Sequence, residues 1–216
     1  MPARSRHGVR VTSSPTVDRS YGPLGRLLVP AEPEVGLLVR ADEVGGAVAF
    51  QDLLRSGALV LLWDGVAAPA AVPRTATLRA LAVRDLVPER TVVAGEAAAW
   101  VLCGGRRPDR LDVLYPPGTH RPAPLPGRVP RQALVLASET QVVAGVLVTD
   151  ARRTALDVAS RYDPDRALPV LRRLRDLAGL DVAATTRSLE LRYRWAGRER
   201  ARAVLAALLA EEGGPG

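Results

Sequence analysis

The sequence predicts a mixed α/β (α+β) protein: a small helix–turn–helix–hairpin unit, then a larger α/β domain with a helical C-terminus. Three observations predict it. Short apolar runs of strand type recur at Leu59-Val-Leu-Leu-Trp63, Leu111-Asp-Val-Leu-Tyr115 and Val146-Leu-Val148. Segments with apolar residues at helical spacing stand between them. Gly45-Gly46, Gly104-Gly105 and Asp64-Gly65 punctuate the two kinds of segment.

Residues 1–30 are rich in Ser, Pro, Gly and Arg, including Arg4, Arg6 and Arg10. They read as a basic arm without a core of its own, either a nucleic-acid arm or a solvated tail. Residues 31–73 form the first predicted unit. Leu37, Leu38, Ala41 and Val44 have helical spacing, so a helix is expected over 35–44, broken by Gly45-Gly46. Helical spacing resumes over 47–56 with Val48, Phe50, Leu53 and Leu54, and Gly57 closes that helix. Leu59–Trp63 is a strand. Asp64-Gly65 is a two-residue hairpin turn, because both residue types tolerate positive φ. Val66–Ala68 returns, and Pro69 stops it.

Helix, tight turn, helix and β-hairpin is the order of a winged helix-turn-helix, whose second helix faces the major groove. Here that helix offers Gln51, Asp52, Arg55 and Ser56. The hairpin is almost wholly apolar and carries Asp64 at its tip, whereas phosphate contacts favour basic wings. A structural or partner-binding version of the unit is therefore a real alternative to a DNA reader.

The α/β domain is expected over 74–212. Leu78, Leu81, Ala82 and Leu86 mark a helix or linker ended by Pro88. Thr91–Ala94 reads as a short strand, Glu96–Cys103 as an Ala-rich helix, and 111–115 as a strand. A proline-rich loop with His120 and Arg121 fills 116–130, and Gln132–Ala137 is expected to be extended. At the next junction a strand ending near Val148 runs into a helix capped by Thr149 or Asp150. In that helix Arg153 and Asp157 share a face, while Leu156 and Ala159 point to the core. The pair is either a surface ion pair or, if partly buried, an anchor; the structural residues of the junction are Thr149, Arg153, Thr154 and Asp157.

Asp163-Pro164 starts another helix. Leu168, Leu171, Leu174 and Leu177 are expected inside it, with Arg166, Arg172, Arg173 and Arg175 outside. Ser188–Trp195 alternates strictly and predicts a strand. A final amphipathic helix runs over 196–211. Arg198, Arg200 and Arg202 crowd its first turns, where cations oppose the helix dipole. With Arg172, Arg173, Arg192 and Arg194 they form either a basic patch or a solvated face.

Composition limits the chemistry. The 216 residues carry a formal net charge of +7, which favours an anionic partner such as nucleic acid. Lys, Asn and Ile are absent, a bias that predicts a GC-rich genome and explains why every side-chain cation but histidine is Arg. The missing Lys excludes a Walker A lysine and a Schiff base. Cys103 is the sole cysteine and His7 and His120 the only histidines, too few for a Cys/His zinc site. Carboxylate-only metal chemistry stays open, though no carboxylates cluster in the sequence. Cys103, in an apolar context, is expected to be a buried small hydrophobe. No apolar run is long enough to cross a bilayer, and no secretory signal is expected, so the cytoplasm is the expected compartment.

Four blocks bear a resemblance to a known family: Asp52–Leu59 through Asp64-Gly-Val66; Glu96–Gly104; Leu111–Pro117 leading to His120-Arg121; and Val148-Thr-Asp-Ala-Arg-Arg-Thr-Ala-Leu-Asp157. In order and spacing they are similar to the AbiEi antitoxin family in its actinobacterial form. The resemblance implies a winged-helix N-terminal domain and a C-terminal α/β domain of AbiEi type. It also implies a non-enzymatic autorepressor that binds its own promoter and counteracts a nucleotidyltransferase toxin. No cofactor or metal is implied. Some relatives continue into a Vsr-like endonuclease domain, which is not expected here. The sequence departs from the family between Pro23 and Pro33, in the wing, which lacks arginines, and at Ala94-Gly95-Glu96.

On this reading Gln51 and Arg55 contact DNA bases from the second helix. Arg40 and the arm residues Arg4, Arg6 and Arg10 contact phosphates, which position more than they specify. The rival readings are a protein-interaction module that no longer binds DNA and a metal-dependent nuclease remnant.

Overall fold

The computed structural model describes residues 37–212, an α/β arrangement of helices around a five-stranded sheet and a separate hairpin. The arm residues Arg4, Arg6 and Arg10 lie outside the described residues.

The first helix expected over 35–44 does not form. Leu37 and Leu38 lie in a bend, and Val39 is extended, exchanging both backbone hydrogen bonds with Ala67 (2.8 and 2.9 Å). Only a 3-10 turn, Ala41–Val44, follows; the Glu43 carboxylate accepts from the Arg40 amide at 2.6 Å. Val39, which the helical spacing left out, is almost fully buried and serves as an inner strand position. Gly45 and Gly46, both at positive φ, turn the chain into helix α1 (Ala47–Arg55).

Strands β1 (Leu59–Trp63) and β2 (Val66–Pro69) form the expected antiparallel hairpin about Asp64-Gly65. Val39, Phe50, Leu59 and Ala67 make a small core beneath α1. The opposite side of the hairpin (Leu62, Trp63, Val66, Ala68) belongs to the same core as Leu78 and Val83 of helix α2 (Ala76–Val83). Packing is thus continuous across the boundary expected at residue 73.

The large sheet has the order β5-β4-β3-β7-β6, with β3 (Val92–Val93), β4 (Leu111–Tyr115), β5 (Arg128–Gln132), β6 (Thr140–Val143) and β7 (Val146–Thr149). β4 and β5 are parallel, which requires a long return path; the proline-rich segment after Tyr115 supplies it. The strand expected over 132–137 is accordingly displaced to 128–132, because its register is set by pairing with β4. β6, unforeseen, pairs antiparallel with β7 and leaves Gln141 and Val142 exposed at an edge.

Helix α3 (Gly95–Cys103) is buried nearly all round. Ala97 and Ala98 face the hairpin core, while Ala99 and Cys103 face the helical core, so only small side chains fit both contacts. The remaining helices are α4 (Ala151–Arg161), α5 (Pro164–Ala178), α6 (Val182–Glu190) and α7 (Arg198–Glu212). Leu156, Leu171, Leu174, Leu189 and Leu205 fill their shared core. Leu177, expected inside, is exposed.

The predicted strand over 188–195 is also overturned. Asp181 caps α6 by accepting from the Ala184 amide at 2.7 Å, and Val182, Thr185 and Leu189 bury one helical face. Beyond it, successive tight turns (Arg192 to Leu189, Trp195 to Arg192, Arg198 to Trp195) carry the chain into α7. Leu191 and Tyr193 are exposed where alternation placed them beside Leu189. Gly197 makes the entry to α7 possible: its φ is +75°, and a Cβ there would collide with the Ser160 carbonyl. No helix among the described residues is long and apolar enough to cross a membrane.

Candidate nucleic-acid interface

Helix α1 rests on Phe50, with Leu53 and Leu54 half-buried, which turns Ala47, Val48, Gln51, Asp52 and Arg55 outward together. Val48, expected inside, is 78% exposed. The outer face is bare but nearly neutral, because Arg55 is hydrogen-bonded to Asp52 one turn earlier. Arg40, just beyond the buried Val39, pairs with Asp85 at 2.7 Å. The structure thus brings Arg40, Gln51 and Arg55 onto the same small unit, with both cations already engaged.

The hairpin tip is tied down as well. Arg107 donates to Asp64 at 2.6 Å and lies over the Trp63 ring at 5.4 Å from its centroid. Trp63 in turn packs against Trp100 of α3, with ring centroids 5.1 Å apart. Arg107 was not singled out in the sequence, where it reads as a solvated loop residue after Gly104-Gly105.

The junction residues form a buried ionic network. Thr149 and Thr154 share a hydrogen bond of 2.7 Å at the strand–helix turn. Asp150, not Thr149, is the cap, accepting from the Arg153 amide at 2.6 Å. The Arg153 side chain, 3% exposed, donates to Glu139 at 2.8 Å, to Asp157 at 3.3 Å and to the Leu134 carbonyl at 3.1 Å. The surface-pair alternative for Arg153 and Asp157 is thereby excluded. Arg192 also bonds Glu139, and the Trp195 ring lies close to both guanidiniums, 4.8 Å from Arg153 and 4.9 Å from Arg192.

The two carboxylates of this network differ in character. Burial pushes Glu139 upward, but the Leu136 amide and the arginines outweigh it and hold the carboxyl below its usual range. Burial also pushes Asp157 upward, and Arg153 and Arg131 only partly offset it, so its carboxyl stays above the usual range. Glu139 has no signal in the sequence. A lone carboxylate in Ala-Ser-Glu-Thr reads as solvated, and only the fold brings it to Arg153.

The arginines proposed as a basic patch mostly serve as ties. Arg172 grips Glu211 with two bonds of 2.9 and 2.6 Å, and Arg173, expected outward, donates to the Cys103 carbonyl at 2.6 Å. Arg198 and Arg202 both bond Glu190, at 2.6 and 2.8 Å. Arg202 above all, together with Arg198, draws the Glu190 carboxyl down to about 2. Arg194 has no such partner among the described residues. Among the described residues, no group of three or more His, Cys, Asp or Glu side chains is placed to hold a metal. Cys103 is buried, and burial raises its thiol, the state of an unreactive core cysteine.

The architecture defines an α/β protein with a helix-and-hairpin unit packed on its main body. No known family profile matches the chain, and no curated protein does. Among solved structures, it is similar to the RV2827C protein from Mycobacterium tuberculosis, at 17% identity, over 79% of this chain and 76% of that one, with a TM-score of 0.33. A likeness at that level carries no argument about fold or function.

Proposed function

We propose that the chain is a cytoplasmic, non-enzymatic, antitoxin-like transcriptional regulator that binds its own promoter through α1, with a neighbouring nucleotidyltransferase toxin as its second partner. One observation carries the DNA reading. A 3-10 turn, α1 and the hairpin follow in the order of the later part of a winged helix-turn-helix, with the 3-10 turn where its first helix would stand, and Val39 bridges Ala67 beside a helix whose outer face is bare. Gln51 and Arg55 are the base-reading candidates. Arg40 and the arm arginines Arg4, Arg6 and Arg10 supply phosphate contacts. DNA must compete with Asp52 and Asp85 for the two described cations, which lowers affinity, while each phosphate contact made adds about one unit to the salt slope.

The test is retardation of the chain's own promoter fragment against a scrambled fragment, across a salt series. Preference for the promoter that falls about 5- to 150-fold in Gln51→Ala/Arg55→Ala supports the reading. Equal retardation of both fragments overturns it.

A second reading has its own observation. The segment bearing Leu134 and Leu136 and the turn bearing Leu191 and Tyr193 converge on Glu139, through Leu136, Arg153 and Arg192. All four apolar side chains are exposed, Leu191 at 77% and Tyr193 at 82%. Such an apolar grouping suits a protein partner. Stable co-purification with the toxin, lost in Leu191→Ser/Tyr193→Ser while promoter binding persists, would assign the partner to this surface.

A further inference from the structure

A cavity of about 330 Å³ opens between α3, α5 and the loop after Cys103, within the size range of small-molecule sites. Its lining has three chemical parts. Trp100, Pro108, Pro169 and Val170 form apolar wall. Four arginines line it against two carboxylates, and their engagements differ. Arg166 is neutralised by a bidentate bond to Glu96 at 2.7 and 2.6 Å. Arg173 uses one nitrogen on the Cys103 carbonyl at 2.6 Å. Arg106 has no hydrogen bond or ion pair, and Asp109 has no hydrogen-bond partner among the described residues. Gly105, at φ +91°, lets the loop backbone lie against Arg173, where a Cβ would stand 2.8 Å from Nε.

The unengaged Arg106 and the partly engaged Arg173 select an anion, and guanidinium forks select phosphate or carboxylate geometry. The Asp109 carboxylate, which feels the Arg166 charge but makes no hydrogen bond among the described residues, accepts from hydroxyl or amine donors beside that anion. The apolar wall suits a flat ring. We propose that this cavity binds a phosphorylated, hydroxyl-bearing ring compound of the mononucleotide class, with its phosphate on Arg106, Arg107 and Arg173.

The site is wired to the hairpin. Arg107 lines the same cavity and is the group that holds Asp64 at the hairpin tip, 2.6 Å away. A phosphate in the cavity competes with Asp64 for Arg107. Occupancy therefore loosens the hairpin tip, and loosening the tip strengthens binding. The ligand site does not depend on the DNA reading and is tested without DNA.

The experiment is calorimetric titration of the full chain with the four ribonucleoside 5′-monophosphates, with inorganic phosphate and the unphosphorylated nucleosides as separate arms. At least one monophosphate should bind at least about tenfold more tightly than phosphate or its own nucleoside. Arg106→Ala should weaken it by about tenfold or more, at a nearly unchanged melting temperature because the exposed side chain makes no hydrogen bond or ion pair among the described residues. Asp64→Asn should tighten it. No saturable binding of any monophosphate, or equal binding by wild type and Arg106→Ala, would overturn the proposal.

Discussion

The helix-and-hairpin unit and the Arg153 network spend their polar groups in opposite ways. Around Arg153 the central charges are enclosed: Arg153, Glu139 and Asp157 are each under 5% exposed, Thr149 and Thr154 are sealed beside them, and Arg192 reaches in from the surface. On α1 the polar residues face outward over a small four-residue core, held by ion pairs that solvent can reach. The first arrangement fixes one geometry, because an uncompensated buried charge is costly. The second leaves groups that a partner can recruit at little cost, because exposed pairs contribute little. Working surface and scaffold can be told apart on this basis, even though both are built from the same few residue types.

Substitutions should separate the two regions by size of effect. Arg153→Ala takes from Asp157 its hydrogen-bonded arginine and from Glu139 one of two, inside the protein, and should cost about 3–5 kcal/mol, read by chemical denaturation. A loss below about 1 kcal/mol would erase the distinction. Within the network, Glu139→Gln should cost more than Asp157→Asn. The ionised form is favoured at Glu139 and disfavoured at Asp157, so neutralising the first removes a stabilising charge and neutralising the second removes a strained one. The expected gap is on the order of 1–2 kcal/mol.

Acid should act on the scaffold in a defined window. Glu190 is lowered from an ordinary 4.5 to about 2, and Glu139 is lowered as well. A lowered carboxylate contributes stability that is complete above its unfolded value and is lost as pH falls towards its folded value. The melting temperature should therefore fall between pH 4.5 and 2, with Glu190→Gln flattening part of that fall. Asp157, raised, acts with the opposite sign, its ionised form weakening the fold as pH rises through its folded value. Smallest of all, Gln51→Ala and Arg55→Ala should each leave stability within about 0.5 kcal/mol.

Much of the scaffold was legible in the sequence. Asp64-Gly65 between apolar runs specified the hairpin, and α3 was readable from its alanines and the glycines after Cys103. The strand–helix junction at Val148–Ala151 was readable from its cap. The failures share a cause. Val39, buried, lies outside the helical spacing read over 35–44, and Leu189 is the one fully buried member of the alternation over 188–195, so periodicity assigned the wrong element to both. Local alternation over 188–195 described three consecutive turns, because the Asp181 cap upstream had already committed Leu189 to a helix. The site was legible only as chemistry. Gln51 and Arg55 could be named from their positions on a helix, and Asp52 lies one turn from Arg55, but the partners of Arg40, Arg107 and Arg192 could be assigned only in space. Asp85 lies 45 residues from Arg40, Asp64 lies 43 from Arg107, and Glu139 lies 53 from Arg192.

Backbone amide chemical-shift mapping with the promoter duplex tests the central distinction most directly. Perturbations should concentrate at 47–56 and around Arg40, while the amides of Glu139, Arg153 and Asp157 stay in place. Shifts confined to Leu134, Leu136, Leu191 and Tyr193, with α1 unmoved, would contradict the assignment of α1 as the DNA-contacting face.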